Sequence, residues 1–301
     1  MEVTKIAVHS GKFHADDVCA VATLLLYLGI ADPESMAVEI IRTRDKEQIG
    51  EADYVFDVGM EYDPNRHRYD HHQDGGAGVR ENGISFAAFG LAWKHFGGEV
   101  CGSQEVADKI ERRMVMPLDA SDNGEEYFDM REHGLLPYGA SIIVGAFLPT
   151  WQEQQTEETL KATFIELVRY AMIIIRREVA HAQASVEGHK HVEEAYQRAE
   201  DKRVIVLDVK LPWEERIEQY PEPVFVAYPQ DDMWRARAVR SGEGLFKNRK
   251  DFPKAWAGLD SEELPKVTGV EDALFCHRKL FTVAAKSKEG ILELVKQALN
   301  A

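Results

Sequence analysis

Four short stretches in the first 125 residues bring histidines and carboxylates together at spacings that suit metal chemistry. The first, His9-Ser-Gly-Lys-Phe-His14-Ala-Asp16-Asp17, joins a short apolar run to a longer one. The second, Val55-Phe56-Asp57-Val58-Gly59, ends an apolar run on an acid, and the third is Tyr69-Asp70-His71-His72-Gln73. The fourth runs Pro117-Leu118-Asp119-Ala120-Ser121-Asp122-Asn123-Gly124. Imidazole nitrogens with carboxylate oxygens suit borderline and hard divalent ions such as Mn²⁺, Zn²⁺, Fe²⁺ or Mg²⁺. Two such ions ~3.5–4 Å apart can share a bridging carboxylate. His9, His14, Asp16, Asp57, His71 and one later aspartate would supply them, with Asp57 placed to bridge. Asp119 is favoured for the last position. Asp122-Asn123-Gly124 is a strong turn former, which accounts for Asp122 without a metal.

Each stretch alone has a plainer role. An aspartate at the end of a strand commonly forms a turn, and Asp16 and Asp17 suit the positive end of a helix dipole. Those roles do not explain why metal-ligand residue types recur at three chain-turning points within the first 73 residues.

The elements that must position them follow from apolar spacing. Lys5–His9 is predicted as a strand, SGKFHAD as a loop and Asp16–Gly29 as a buried helix. Val38–Ile41 and Tyr54–Val58 are further strands, and Ser85–Phe96 and Glu105–Met116 are helices. Short apolar strands alternating with helices predict an α/β fold with a mostly parallel sheet. Ligands to such a sheet gather beyond the carboxyl ends of its strands, where His9 and Asp57 fall. Residues 126–200 read as an irregular stretch with Gly134, Pro137, Gly139 and Pro149. One long helix or two follow from Glu157, softened near Gly188. Val204–Val209, Val224–Tyr228, Trp234–Val239 and Phe281–Ala285 are strands, and Lys288–Leu299 is a helix. The expected division is therefore a metal-binding domain over 1–125, a helical connector over 126–200 and a smaller α+β domain over 201–301.

A net charge of −16 argues against a broad nucleic-acid surface. Trp234–Trp256 departs from it, with seven basic residues against two acids, a local +5 suited to an anionic ligand. Three scattered cysteines without a CxxC pair point to neither a disulfide framework nor a thiolate zinc site. The most apolar run, Val18–Ala31, spans 14 residues where a membrane helix needs ~20. With no signal-like opening, a cytoplasmic protein away from membranes is expected.

The motifs HxxxxHxDD, VFDVG and YDHHQ resemble the Asp-His-His (DHH) phosphoesterase superfamily. Within it the sequence is similar to the melanocyte proliferating gene product family. IIRTRD, DVGMEYDPNRHRYDHHQ, LDASDNG, WRARAV, FKNRKDFPKAWAGLDSEEL and FCHRKLF carry that likeness over nearly the whole chain. The resemblance implies a metal-dependent 3′–5′ exonuclease on single-stranded RNA or short oligonucleotides, with two divalent ions, most readily Mn²⁺. It departs from the superfamily at His14, which stands where an acid is usual. It departs again at Phe275-Cys276-His277, near where a glycine-rich substrate signature is usual.

On this reading Asp70 orients a ligating imidazole and His72 contacts the phosphate or protonates the leaving oxygen. Arg235, Arg237, Arg249 and His277 hold substrate phosphates. A small phosphoanhydride or dinucleotide hydrolase, and a non-catalytic metal-binding protein, are the competing classes.

Overall fold

The computed structural model describes residues 3–125, 138–242 and 247–301. Gly134 and Pro137 of the expected irregular stretch, and Glu243 with Phe246 near the basic strip, lie outside the described residues.

The protein is α/β, with two five-stranded sheets among the described residues. The first contains β1 (Thr4–Val8), β2 (Val38–Arg42), β3 (Tyr54–Phe56), β4 (Tyr62–Asp63) and β5 (Arg68–Tyr69), in the order β2-β1-β3-β5-β4. All pairings are parallel except β4 with β5. Ile6, Ala7 and Val8 are wholly buried, which is why β1 reads as a continuous apolar run rather than an alternating one. The helices of this region are α1 (Ala15–Tyr27), α2 (Lys46–Glu51), α3 (Ala88–Cys101), α4 (Gln104–Ile110), α5 (Met116–Asp122) and α6 (Ala140–Ala146). Every residue of α1 from Ala15 to Leu25 is buried, including both aspartates, and the helix packs chiefly against α3.

The helix expected over Glu105–Met116 is instead divided. Between α4 and α5 the chain widens to a π-helical stretch, Glu111–Val115, in which the Met116 N–H reaches back to the Glu111 carbonyl. Pro117 supplies the reason. It has no N–H for the carbonyl four residues earlier, and a local wide turn accommodates that loss.

One helix, α7 (Glu157–Arg198), runs unbroken through Gly188. A single glycine costs a helix only ~1 kcal/mol, less than the packing on either side supplies. Compact units form over Met1–Gln183 and Ala184–Ala301. The first part of α7 packs the Phe164 ring edge-on to Phe13, with centroids 5.9 Å apart. Its last part gives Val192 and Ala195 to a core with Ile205, Trp213, Ile217 and Val226.

In the second unit β6 (Val204–Val206), β7 (Phe225–Gln230), β8 (Met233–Ala238), β9 (Ala273–Cys276) and β10 (Thr282–Ala285) make a sheet in the order β6-β7-β8-β10-β9. Helices α8 (Glu214–Ile217), α9 (Leu264–Thr268) and α10 (Lys288–Asn300) complete it. Ile291, Leu294 and Val295 of α10 join Phe225, Ala236 and Val283 in its main core.

Candidate metal centre

From β1 the chain goes to β2 on one side, then crosses back to β3 on the other. That reversal opens a crevice beyond the carboxyl ends of β1 and β3. His9 is the first residue past β1 and Asp57 the first past β3. Asp57 has a φ of 56°, left-handed and costly for a residue with a Cβ, roughly 1–2 kcal/mol. Its N–H nonetheless bonds the Tyr69 carbonyl at 3.2 Å, so β5 fixes the turn that aims its carboxylate.

Around Asp57 the groups converge. Its two oxygens lie 3.2 Å from His9 Nε2 and 3.2 Å from His71 Nε2. His71 Nε2 is also 3.3 Å from Asp122, and His9 Nε2 is 3.1 Å from Asp17. His14, half exposed, approaches Asp122 at 3.6 Å. Three groups each offer ligand atoms within 4.8 Å of one another: His9-His14-Asp57, Asp57-His71-His72 and His14-Asp16-Asp122. Asp57 belongs to two of them, as a bridging residue would.

Tautomers test whether these residues fit a cation. The Asn123 amide nitrogen donates to the Asp119 and Ser85 carbonyls at 3.0 and 3.4 Å, which turns its oxygen to His71 Nδ1 at 3.2 Å. His71 Nδ1 must therefore donate, leaving the Nε2 lone pair facing two carboxylates. His9 repeats the pattern, with Nδ1 3.2 Å from the Ser10 carbonyl and Nε2 facing Asp17 and Asp57. Acceptors facing acceptors are stable only with a proton or a cation between them. His9 Nε2, His71 Nε2, Asp57 Oδ1, Asp17 Oδ2 and both Asp16 oxygens are buried without a hydrogen-bond partner. Buried polar atoms are rarely left so. The residues fit divalent ions.

Protonation follows the same logic. Burial alone would lower the His9 and His71 imidazoles, but the facing carboxylates outweigh it and carry each up to about 10. Burial raises Asp57, and its two imidazoles overcome that to hold it below the usual carboxylate range. Burial, then the charges of Asp57, Asp122 and Asp17, push Asp16 well up.

Asp70 organises the loop after β5. One of its oxygens accepts the His71 N–H at 2.7 Å and sits 2.8 Å from His72 Nδ1, while the other accepts the Met60 N–H. It thus orients the exposed His72 ring, whereas Asn123 orients the ring of His71. The hydrogen bond that His72 donates to the Asp70 carboxylate raises its pKa despite its partial burial.

Asp119, expected as the last ligand, sits elsewhere. It accepts from Arg80 Nη2 at 2.6 Å and from the Gly90 N–H at 2.9 Å, and Arg80 also pairs with Glu111 at 2.6 Å. A Cβ at Gly90 would fall 1.8 Å from an Asp119 oxygen, so only glycine admits this packing. Asp122, read from sequence as a turn former, takes the place in the cluster. The two lie one turn apart on α5 and share its inner side, so spacing could not separate them. Asp17 and Asn123 were also passed over. Asp17 had the look of a helix cap, a role it does fill through the His14 N–H at 2.9 Å, with its second oxygen left for His9.

The basic strip divides. Arg249 is not available to a ligand, because its guanidinium donates to the Tyr220, Pro223 and Glu218 carbonyls. Arg237 pairs with Glu214 at 2.7 Å. Arg235 lies over the Phe275 ring, 5.4 Å from its centroid, with Nε unpartnered. His277 is exposed just past β9, its Nδ1 accepting the Lys279 N–H at 3.1 Å.

Fold and site together define an α/β protein whose histidine and aspartate groups, at the switch point of a parallel sheet, can hold metal ions. A family model described as "Uncharacterised protein family (UPF0160)", MYG1_exonuc, matches residues 5–299. The chain belongs to this MYG1 family. It is 31% identical to the MYG1 exonuclease of Bos taurus over 99% of its own length and 85% of that protein's. For the MYG1 exonuclease of Homo sapiens the identity is 30% over 99% and 86%. The MYG1 protein C694.04c of Schizosaccharomyces pombe is 28% identical over 99% and 98%. No helix among the described residues is long and apolar enough to cross a membrane.

Proposed function

We propose that this protein is a divalent-metal-dependent phosphodiesterase of the DHH type, acting as a 3′–5′ exonuclease on single-stranded RNA or short oligonucleotides. The observation that carries the reading is the set of buried, unpartnered Nε2 and carboxylate atoms around Asp57. Membership of a family whose curated relatives are named exonucleases supports the substrate class.

His9, His14, Asp16, Asp57, His71 and Asp122 would hold two ions, Mn²⁺ foremost. When bound, such ions acidify water and neutralise charge on a phosphate's oxygens. The protein supplies the rest. Asp57 faces both imidazoles and couples the two positions. Asp70 engages Nδ1 of the half-exposed His72 ring, so Nε2 is the nitrogen left for a substrate. From there His72 donates a proton to the departing oxygen, a role that the Asp70 carboxylate favours by raising its pKa. Arg235 and His277 remain the candidates for phosphate contacts in the second unit.

Metal analysis of the purified protein, followed by parallel Mn²⁺ assays on labelled single-stranded RNA, single-stranded DNA, dinucleotides and pyrophosphate, tests the reading. The expected result is about two metals per chain and stepwise shortening of RNA from its 3′ end. Metal content near zero in folded protein removes the mechanism. Turnover confined to pyrophosphate moves the protein to the small-anion class.

A further inference from the structure

Beside the metal cluster, and wholly within the first unit, lies a cavity of about 680 Å³. Its walls carry Arg44, Lys46, Arg66 and Arg68, and it opens on Asp57, Asp70 and His72. A volume of this size is within the ~300–1,000 Å³ of small-ligand sites. Against the three carboxylates of its lining (Asp57, Glu61 and Asp70) these four cations leave the cavity slightly positive in a chain of net charge −16.

Their partners sharpen the contrast. Glu61 neutralises Arg66 at 2.6 Å. Arg44 and Lys46 are exposed and enter no ion pair among the described residues. Arg68 is only 8% exposed, yet its guanidinium meets only backbone carbonyls, of Arg66 at 2.8 Å and of Asp53 and Gly50 at 3.5 Å. Glu61, Asp53 and Asp63 attract Arg68 at longer range and its donors are engaged by carbonyls, so Arg44 and Lys46 are the cations on this cavity left to meet an anion. Met60, with a φ of 59° and 60% of its surface exposed, adds an apolar side chain to the lining on which a base can rest.

We propose that this cavity is a nucleotide subsite, in which the exposed Arg44 and Lys46 hold a backbone phosphate of single-stranded RNA next to the phosphate presented to the metal cluster. The inference rests on the nuclease reading for its substrate, but binding can be measured apart from cleavage. The site differs from the expected strip on the second unit, where Arg249 and Arg237 are already engaged.

The test uses the full chain and a fluorescent ten-nucleotide single-stranded RNA, with binding measured in EDTA at several salt concentrations. Arg44→Ala/Lys46→Ala removes two exposed cations without opening the core. Binding should weaken at least tenfold, and the dependence of log affinity on log salt should flatten by about 0.7, as for one phosphate contact on a single strand. In Mn²⁺ the same variant should raise KM and leave kcat nearly unchanged. Unaltered affinity and salt slope in a folded double variant overturn the subsite, whatever the cleavage assay gives. If wild type binds RNA through these residues but cleaves nothing with any metal, the subsite stands and the nuclease reading fails. Wild-type protein that does not bind the RNA overturns the subsite as well.

Discussion

Asp119 and Asp122 stand one turn apart on α5, both turned inward, and end in opposite circumstances. Asp119 is fully satisfied by Arg80 and the Gly90 N–H. Asp122 faces the imidazoles of His71 and His14, beside an Asp16 whose oxygens have no partner at all. Burial of a carboxylate is therefore not what marks a ligand. Against a guanidinium the carboxylate is a structural clamp. Against an imidazole whose other nitrogen already donates, it awaits a cation.

The largest separation comes from paired substitutions on the two sides. Asp57→Asn should abolish turnover and lower metal content at both positions, measured by elemental analysis, because Asp57 faces His9 and His71 alike. Asp119→Asn should instead leave the metals in place. It should lower unfolding free energy by ~3–5 kcal/mol, as when one partner of a buried ion pair is lost, read by denaturant melts. Metal loss in a still-folded Asp119→Asn protein would erase the distinction between the two aspartates.

Next in size is His72→Ala, expected to reduce kcat by roughly 10²-fold with metal content unchanged. Its half-exposed ring sits closer to Asp70, at 2.8 Å, than to Asp57, at 3.4 Å, so loss of metal here would place His72 among the ligands. Asn123→Ala should weaken metal affinity by ~10–100-fold, the usual cost of freeing a ligating histidine from its orienting partner. NMR of the His71 ring should then report mixed tautomers. A single unchanged tautomer would deny Asn123 that part.

The smallest effect is graded by pH. Without metal, His9 and His71 hold protons up to about pH 10 because carboxylates face them. Metal takes only neutral imidazole, so binding must expel those protons, and affinity rises with pH through the neutral range. Each expelled proton steepens the rise by about tenfold per pH unit. Calorimetry in buffers of different ionisation enthalpy should count roughly one to two protons released per chain. Affinity flat from pH 6 to 9 would mean the cluster is not proton-linked.

Much was legible before any coordinates. The apolar run Ile6–Val8, followed at once by His9, specifies a buried strand with a polar residue at its exit. Val55–Phe56 before Asp57 does the same, and these two strand exits fix where a site can form. The weakly patterned elements were not legible. The two-residue strands β4 and β5 and the short β9 have too few residues to show a period, though β5 carries the loop that holds Asp70, His71 and His72. The basic strip misled because charge counts ignore what each guanidinium touches.

Residue type and spacing alone picked out histidines and aspartates that can hold metal ions and the strand exits that carry them, because ligand preference and apolar periodicity are local properties of a chain. The choice of Asp122 over Asp119, the engagement of Arg249, and the cavity beside His72 that Arg44 and Lys46 line depend on partners from distant segments. Arg80 lies 39 residues from Asp119, and Tyr220 lies 29 from Arg249. Only tertiary packing could decide which charges it neutralises and which it leaves for a ligand.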